Sequence, residues 1–189
     1  MTDKATLTIG DKSYDLPILK GSTGPDVLDI RKVYAESDHF TFDPGFTSTA
    51  SCESKITYID GDAGILLHRG YPIDQLAEKS SFLEVCHLLL NGELPSADEF
   101  AKFEKNITYH TFINESIKKV IDGFHYNAHP MGMFEATLGA LSTFYPDAKD
   151  IFNVECRWKQ IYRLIAKVPT IAAFAFRHRI GMQYSYPDN

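Results

Sequence analysis

The sequence has few cysteines and no long hydrophobic run, and each scarcity excludes a class of protein. Its three cysteines, Cys52, Cys86 and Cys156, are odd in number and widely spaced, and none belongs to a Cys-x-x-Cys pair. This pattern predicts neither a disulfide framework nor a zinc site. The longest apolar runs, such as "TIAAFAF", are far shorter than a helix that crosses a bilayer, and Arg177 follows that run at once. The sequence therefore predicts no membrane span.

Positive charge is also in short supply. The 19 Lys and Arg residues are outnumbered by 25 Asp and Glu residues, which gives a formal net charge of −6. Such a chain has no general attraction to nucleic acid or to an anionic membrane, so we expect neither as a partner. The opening "MTDKATLTIGD" lacks the apolar region of a secretory signal and the Arg-rich character of a transit peptide. We therefore expect a cytoplasmic protein.

The N-terminal part of the chain contains two pairs of short β-like runs. The whole chain has 189 residues, 44% of them hydrophobic. The runs "ATLTIG" and "SYDLPIL" flank Gly10-Asp11-Lys12 and predict a hairpin, with Pro17 confining the second run to a sheet edge. The runs "SKITYID" and "GILLHRG" flank Gly61-Asp62-Ala63 and predict a second hairpin. Between the hairpins, residues 21–51 are rich in turn-forming residues, which indicates an ordered loop or docking arm.

After the second hairpin the sequence shows the start and stop signals of helices. Ser81 is placed as an N-cap, Ser96 and Glu99 have the spacing of a capping box, and Pro130 suits a first helical turn. A further helix is predicted from Val154, and because Pro169 lacks the N–H that a helix interior needs, we expect an interruption there. The fold class that follows is mainly α-helical.

The change of pattern divides the chain. It predicts a β-containing segment with its docking loop over residues 1–72 and a helical domain over residues 73–189. Within that domain, "HPMGMFEATLGALSTFY" carries hardly any charge and many small side chains that would let another helix approach closely. We expect this helix to be buried or to lie in a subunit interface.

No motif in the sequence identifies a metal site or a catalytic residue. His125 and His129 are four residues apart, but Pro130 restricts His129 to an extended conformation, so we expect the two to cap or pack rather than to bind metal. Near the second hairpin, His68-Arg69 is followed by Gly70, where a kinase catalytic loop needs its Asp. We assign no metal ligand and no catalytic residue.

The run "FTFDPGFTSTASCESKITYIDGDAGILLHRGYPIDQLAEKSSFLEVCHLLLNGELP" closely resembles the N-terminal part of citrate synthase, in the form common in Gram-negative bacteria. The similarity continues through "MFEATLGALSTFY", which resembles the family's interface helix, and through "YRLIAKVPTIAAFAFRHRIGMQYSYPDN". It is weakest in the first two dozen residues and in the segments "HYNA" and "PDAKDIFNVECRWKQ". The second hairpin resembles the β element that leads into the helical large domain of citrate synthase.

The resemblance implies an acyltransferase of the tricarboxylic acid cycle that condenses acetyl-CoA with oxaloacetate to give citrate and CoA, with no required cofactor. The reaction needs a base for a methyl proton, donors for the enolate oxygen and basic groups for the dicarboxylate. In the family these Asp, His and Arg residues lie in the later part of the chain, and the segments "HGG" and "GHR" have no counterpart here. We therefore expect this chain to be an N-terminal fragment, inactive alone, that lacks the small catalytic domain.

The resemblance also implies a homodimer that assembles into a hexamer and is inhibited allosterically by NADH. Six positions match the family's NADH contacts: His110, Thr111, Tyr145, Arg163, Lys167 and Asn189. Arg163 and Lys167 lie four residues apart, hence on one helix face, and suit a pyrophosphate. Two positions depart from the regulated pattern, since Tyr109 stands where an Arg is expected and Phe112 where a Met is expected.

Two alternatives stay open at this point. The complete enzyme could be a 2-methylcitrate synthase, which uses propionyl-CoA. The chain could instead be a non-catalytic module that senses a nucleotide or binds a partner.

Overall fold

The computed structural model describes residues 3–188 and divides the chain between Leu94 and Pro95 into two compact units. The described chain is mainly α-helical, with two small antiparallel sheets that both lie in the first unit. The predicted division into residues 1–72 and 73–189 marks the point where strands give way to helices, and it stays a prediction. None of the described helices combines the length and the hydrophobicity that a membrane span needs.

The first sheet is a meander in which β2 is the middle strand. Its strands are β1 (Lys4–Ile9), β2 (Lys12–Leu19) and β3 (Val27–Leu28). The pairing of Ile9 with Lys12 closes a two-residue turn at Gly10-Asp11, as the sequence predicts. Side chains alternate between exposed and half-buried along β1, which is the period of a strand with one covered face.

Pro17 lies in this middle strand, so its prediction as an edge residue is wrong. On the β1 side Pro17 is opposite Lys4, and on the β3 side its carbonyl accepts a hydrogen bond from the Asp29 N–H at 2.9 Å. Because β3 ends at Leu28, the N–H that Pro17 lacks falls where the ladder stops. A short helix, α1 (Val33–Ser37), follows, with Val33 buried.

The second sheet is the predicted second hairpin with one added strand. It consists of β4 (Thr57–Asp60), β5 (Ile65–His68) and β6 (Tyr71–Pro72), all antiparallel. Arg69 and Gly70 form the turn between β5 and β6, and their φ values of 52° and 88° are those of the left-handed turn that matches strand twist. The Arg69 guanidinium donates a hydrogen bond of 2.8 Å to the Leu89 carbonyl. Arg69 therefore ties the sheet to a helix, which is a structural role.

The helices of the first unit are α2 (Ile73–Lys79) and α3 (Phe82–Asn91). The predicted cap of α3 is confirmed, because the Ser81 hydroxyl accepts a hydrogen bond from the Glu84 N–H while the Glu84 carboxylate accepts one from the Ser81 N–H. Gly92 ends α3 with a φ of 99°.

The described part of the second unit contains four α-helices and two short 3-10 helices, and the long α7 packs against the other three α-helices. The α-helices are α4 (Ala97–Thr108), α5 (Ser116–Asp122), α6 (Pro130–Leu141) and α7 (Val154–Arg179). The predicted capping box of Ser96 with Glu99 and the predicted Pro130 at the start of α6 are confirmed.

The predicted interruption at Pro169 is wrong, since α7 runs unbroken from Val154 to Arg179. The Pro169 ring lies exposed, and burial of Ile171 and Phe174 beyond it holds the helix together. Packing on both sides of the proline outweighs the single backbone hydrogen bond that Pro169 removes.

The core of the second unit lies between α5, α6 and α7. Its buried members are Ile113, Ile117, Ile121, Leu141, Ile171 and Phe174. The segment after α7 folds back over this core, where the Tyr184 ring stacks on Phe174 at 4.6 Å and the Tyr186 ring meets Phe174 edge-on at 5.7 Å. The Tyr186 hydroxyl donates to the Glu115 carboxylate at 2.6 Å.

Candidate functional site

Five of the six residues predicted to contact NADH come from three segments of the second unit. His110 and Thr111 follow α4, Tyr145 stands between the two 3-10 helices, and Arg163 and Lys167 lie in α7. The sixth, Asn189, lies outside the described residues. The Tyr145 ring lies beside both Arg163 and Lys167. The loop after α4 meets the same helix, because its carbonyls accept hydrogen bonds from Lys167 and from Thr170. The structure therefore brings the five together.

Arg163 connects α7 to the 3-10 segment in two ways. Its guanidinium carbon lies 4.1 Å from the centroid of the Tyr145 ring, which is a close cation–π contact. Its Nη1 donates to both carboxylate oxygens of Asp147, at 3.1 and 3.2 Å. Although desolvation acts to raise the pKa of Asp147, the hydrogen bonds and charge of Arg163 hold it below its usual value. Burial raises the pKa of Tyr145, and the nearby Arg163 charge opposes that rise.

Lys167 is buried, and its ammonium is directed at backbone. Its Nζ donates to the His110 carbonyl at 2.6 Å and also to the Phe112 carbonyl. One turn further along α7, the Thr170 hydroxyl donates to the Thr111 carbonyl at 2.9 Å. Burial, with a smaller contribution from the Arg163 charge, lowers the pKa of Lys167 to about 8. α7 therefore holds the loop after α4 through three consecutive carbonyl positions.

The side chains of His110 and Thr111 contact backbone carbonyls near the end of α4. The Nδ1 atom of His110 lies 2.7 Å from the Asn106 carbonyl oxygen, and the Thr111 hydroxyl donates to the Thr108 carbonyl at 3.0 Å. These contacts complete the end of α4, where unpaired helix carbonyls need donors. Each candidate side chain in this loop thus has a structural contact of its own.

The arrangement presents a positive charge beside an aromatic ring. Arg163 is thirteen per cent exposed and shares Asp147 with Lys159, whose Nζ is 3.7 Å from that carboxylate. An anion that approaches Arg163 competes with Asp147, while an aromatic group could stack beside Tyr145. The chemistry shown by the cluster is that of paired charges beside one aromatic ring.

Two residues that the sequence did not predict, Asp147 and Thr170, complete the cluster. Asp147 is two residues from Tyr145, but no periodic spacing links that segment to α7. Thr170 is three residues after Lys167 and so shares its helix face, a signal that could have been read from the sequence.

The histidines considered for metal binding cap turns instead. Nδ1 of His129 accepts a hydrogen bond from the Met131 N–H at the start of α6, and Nδ1 of His125 accepts one from the Asn127 N–H at 3.1 Å. Across residues 3–188, no three His, Cys, Asp or Glu side chains are grouped as a metal ion would require.

A family model described as "Citrate synthase, C-terminal domain" matches residues 45–189, which is well over half of the chain. The chain belongs to the citrate synthase family. The family match begins at residue 45 and leaves the first sheet outside it. It includes the second hairpin and all the residues of the candidate site.

Solved citrate synthase structures have the same fold. The enzyme from Pyrobaculum aerophilum is 26% identical, with a TM-score of 0.70, and the match covers 90% of this chain and 40% of that one. The enzyme from Thermotoga maritima is also 26% identical, with a TM-score of 0.66 and coverage of 78% and 38%. This chain therefore spans about two fifths of the length of these citrate synthases.

A third citrate synthase structure, from Thermoplasma acidophilum, is a ternary complex with carboxymethyl coenzyme A and oxaloacetate. It is 21% identical, with a TM-score of 0.70, and the match covers 79% of this chain and 39% of that one. At this identity the likeness shows the fold alone. The Gram-negative, hexameric and NADH-regulated subtype expected from the sequence stays a prediction.

Proposed function

We propose that the complete protein is a citrate synthase, which condenses acetyl-CoA with oxaloacetate to citrate and CoA in the cytoplasm, as a step of the tricarboxylic acid cycle. The observation that carries this proposal is the citrate synthase family match over residues 45–189, supported by the shared fold. The substrates named for the Thermoplasma acidophilum structure, a CoA derivative and oxaloacetate, agree with it.

In this proposal the 189-residue chain supplies scaffold, subunit interface and part of a regulatory site, while the reacting groups lie elsewhere in the complete protein. The chain's clustered polar groups support this role, since Arg163, Lys167 and Asp147 are engaged in structural contacts. We expect the 189-residue chain alone to release no CoA from acetyl-CoA and oxaloacetate, and the complete protein to release it rapidly. Oxaloacetate-dependent CoA release by the short chain would contradict the proposal.

Acyl selectivity separates citrate synthase from 2-methylcitrate synthase. The complete protein is assayed with acetyl-CoA and with propionyl-CoA under the same oxaloacetate concentration. We expect a higher kcat/KM for acetyl-CoA. A clear preference for propionyl-CoA would leave the family assignment intact and replace the proposed substrate.

We further propose that the Arg163, Tyr145 and Lys167 cluster forms part of an allosteric NADH site. The cation stacked on an aromatic ring supports it, because NADH combines a pyrophosphate with two ring systems. The buried Lys167 is committed to the His110 and Phe112 carbonyls, so Arg163 is the cation with which phosphate would pair.

Two variants test the NADH proposal, and each removes one positive charge from α7. Arg163→Ala should weaken NADH inhibition of the complete enzyme by about tenfold, the usual worth of one charge-assisted contact. Arg157→Ala, an exposed cation of the same helix, should leave inhibition unchanged. Equal effects, or no NADH effect on the parent enzyme, would refute the site. Tight NADH binding without citrate formation by the complete protein would favour the non-catalytic sensing module.

We propose that the outer face of α6 is the dimer interface from which a hexamer is assembled. Gly132, Ala136 and Gly139 are exposed, and a Cβ added at either glycine meets no atom within 4 Å, so the face is open to a second helix. Ala136→Arg should reduce the sedimenting mass of the complete protein. Ala101→Arg, an equal change on the exposed side of α4, should not.

A further inference from the structure

Strand β1 is the outermost strand of the first sheet, and one of its two edges is paired with β2. This sheet precedes residue 45, where the family match begins, so membership of the citrate synthase family gives it no role. The other edge of β1 carries no neighbouring strand within the described residues.

The register shows which backbone groups point outward. The Ile18 N–H donates to the Asp3 carbonyl at 3.0 Å, so that pair exchanges hydrogen bonds between the strands. Hydrogen-bonded pairs recur at every second residue of an antiparallel ladder. The N–H and C=O groups of Lys4, Thr6 and Thr8 therefore point away from β2. Within residues 3–188, no backbone hydrogen bond from another segment reaches these three residues.

This edge carries one of the features that usually prevent strand pairing. Exposed edges are commonly protected by proline, by a bulge or by charged side chains, lysine above all. β1 contains no proline, and its pairing with β2 is continuous from Lys4 to Ile9. Its one charged residue, Lys4, forms an ion pair with Asp15, with Nζ 3.0 Å from Oδ2. The charge that would repel another strand is thus balanced within the sheet.

We propose that β1 pairs edge to edge with β1 of a second copy of this chain, antiparallel and with the two-fold axis at Thr6. The outward groups are placed symmetrically about Thr6, so the strand is complementary to itself. In this register Thr6 faces Thr6 and Lys4 faces Thr8, so no like charges are opposed. On the other face, Ala5 lies opposite Leu7 and extends the half-buried apolar surface across the two copies.

Position-specific crosslinking tests the register. In a Cys52→Ser background, which removes an exposed thiol, Thr6→Cys places two thiols at directly opposed positions. Opposed residues of a hydrogen-bonded pair have Cα atoms about 5.5 Å apart, within disulfide range. The control Thr8→Cys is on the same exposed face, but its two copies would be four residues out of register, which separates their Cα atoms by about 14 Å.

Under mild oxidation of the 189-residue chain, we expect a disulfide-linked dimer with Thr6→Cys and at least about tenfold less with Thr8→Cys. Equal crosslinking at both positions, crosslinking at position 8 alone, or none at either would overturn the proposal. The last outcome is also the one expected if a different protein occupies the edge.

A proline variant provides a second measurement that leaves the hairpin intact. Thr6→Pro removes only an outward N–H, whereas the bonds between β1 and β2 use the neighbouring residues. Two central hydrogen bonds of a symmetric ladder are lost, so self-association through β1 should weaken by about tenfold or more. We expect the Thr6→Cys crosslink to be unaffected by Thr8→Ala. Sedimentation is compared between the Ala136→Arg protein, in which association through α6 is disrupted, and the same protein with Thr6→Pro added. If the added Thr6→Pro leaves the sedimenting mass unchanged, the pairing through β1 is contradicted.

Discussion

The centre of the second unit is the ring of Phe174, and Phe174→Ala should destabilise that unit severely. Phe174 is fully buried, packs with the isoleucines of α5 and is covered by Tyr184 and Tyr186. Truncating a buried phenylalanine removes its transfer free energy and leaves a cavity, together about 3–5 kcal/mol. The exposed Phe176 on the same helix is the matched control, because its truncation should change stability by no more than about 0.5 kcal/mol.

The chain offers a specific probe for this measurement. Its single tryptophan, Trp158, lies in α7, so tryptophan fluorescence reports the unfolding of the second unit. With a urea dependence of about 1–2 kcal/mol/M, the Phe174→Ala midpoint should fall by about 1.5 M or more. A loss of less than about 1 kcal/mol, or a loss equal to that of Phe176→Ala, would show that the core is not centred on this ring.

Three further predictions concern α7 and α4. Pro169→Ala should raise the free energy of unfolding by about 1–3 kcal/mol, because it restores a hydrogen bond to the Ile165 carbonyl at an exposed position; a loss of stability in urea would contradict this. Ser96→Ala should cost about 1 kcal/mol through loss of the capping box with Glu99, measured by the same titration. Because burial lowers the pKa of Lys167 to about 8, the unfolded chain binds more protons above that pH. Stability should therefore rise between about pH 8 and pH 10, and Lys167→Met should remove the rise.

Sequence signals that act over a few residues predicted local structure well. The caps at Ser81 and Ser96, the helix start at Pro130 and both hairpins are confirmed, because each depends on neighbouring residues. At Pro17 a local signal is not sufficient to predict the position of a strand in its sheet. A local rule excluded it from a middle strand, but the length of β3, set further along the chain, decides whether its missing N–H matters.

The candidate site likewise combines features that short sequence patterns predict with features that depend on contacts between distant residues. The spacing of Arg163 and Lys167 predicted a shared helix face, and the structure brings Tyr145 and the loop after α4 to that face. The burial of Lys167 against two carbonyls could not be predicted, because it depends on contacts more than fifty residues apart in sequence. Resemblance to a family supplied the candidate positions, while their individual contacts became evident only from the packing.

The central claim is that the complete protein joins the acetyl group of acetyl-CoA to oxaloacetate. The most direct measurement incubates it with isotopically labelled acetyl-CoA and oxaloacetate and identifies the product by mass spectrometry. We predict labelled citrate in amounts equal to the CoA released, with neither product formed when oxaloacetate is omitted. Release of CoA that does not require oxaloacetate, or the absence of labelled citrate, would contradict the account.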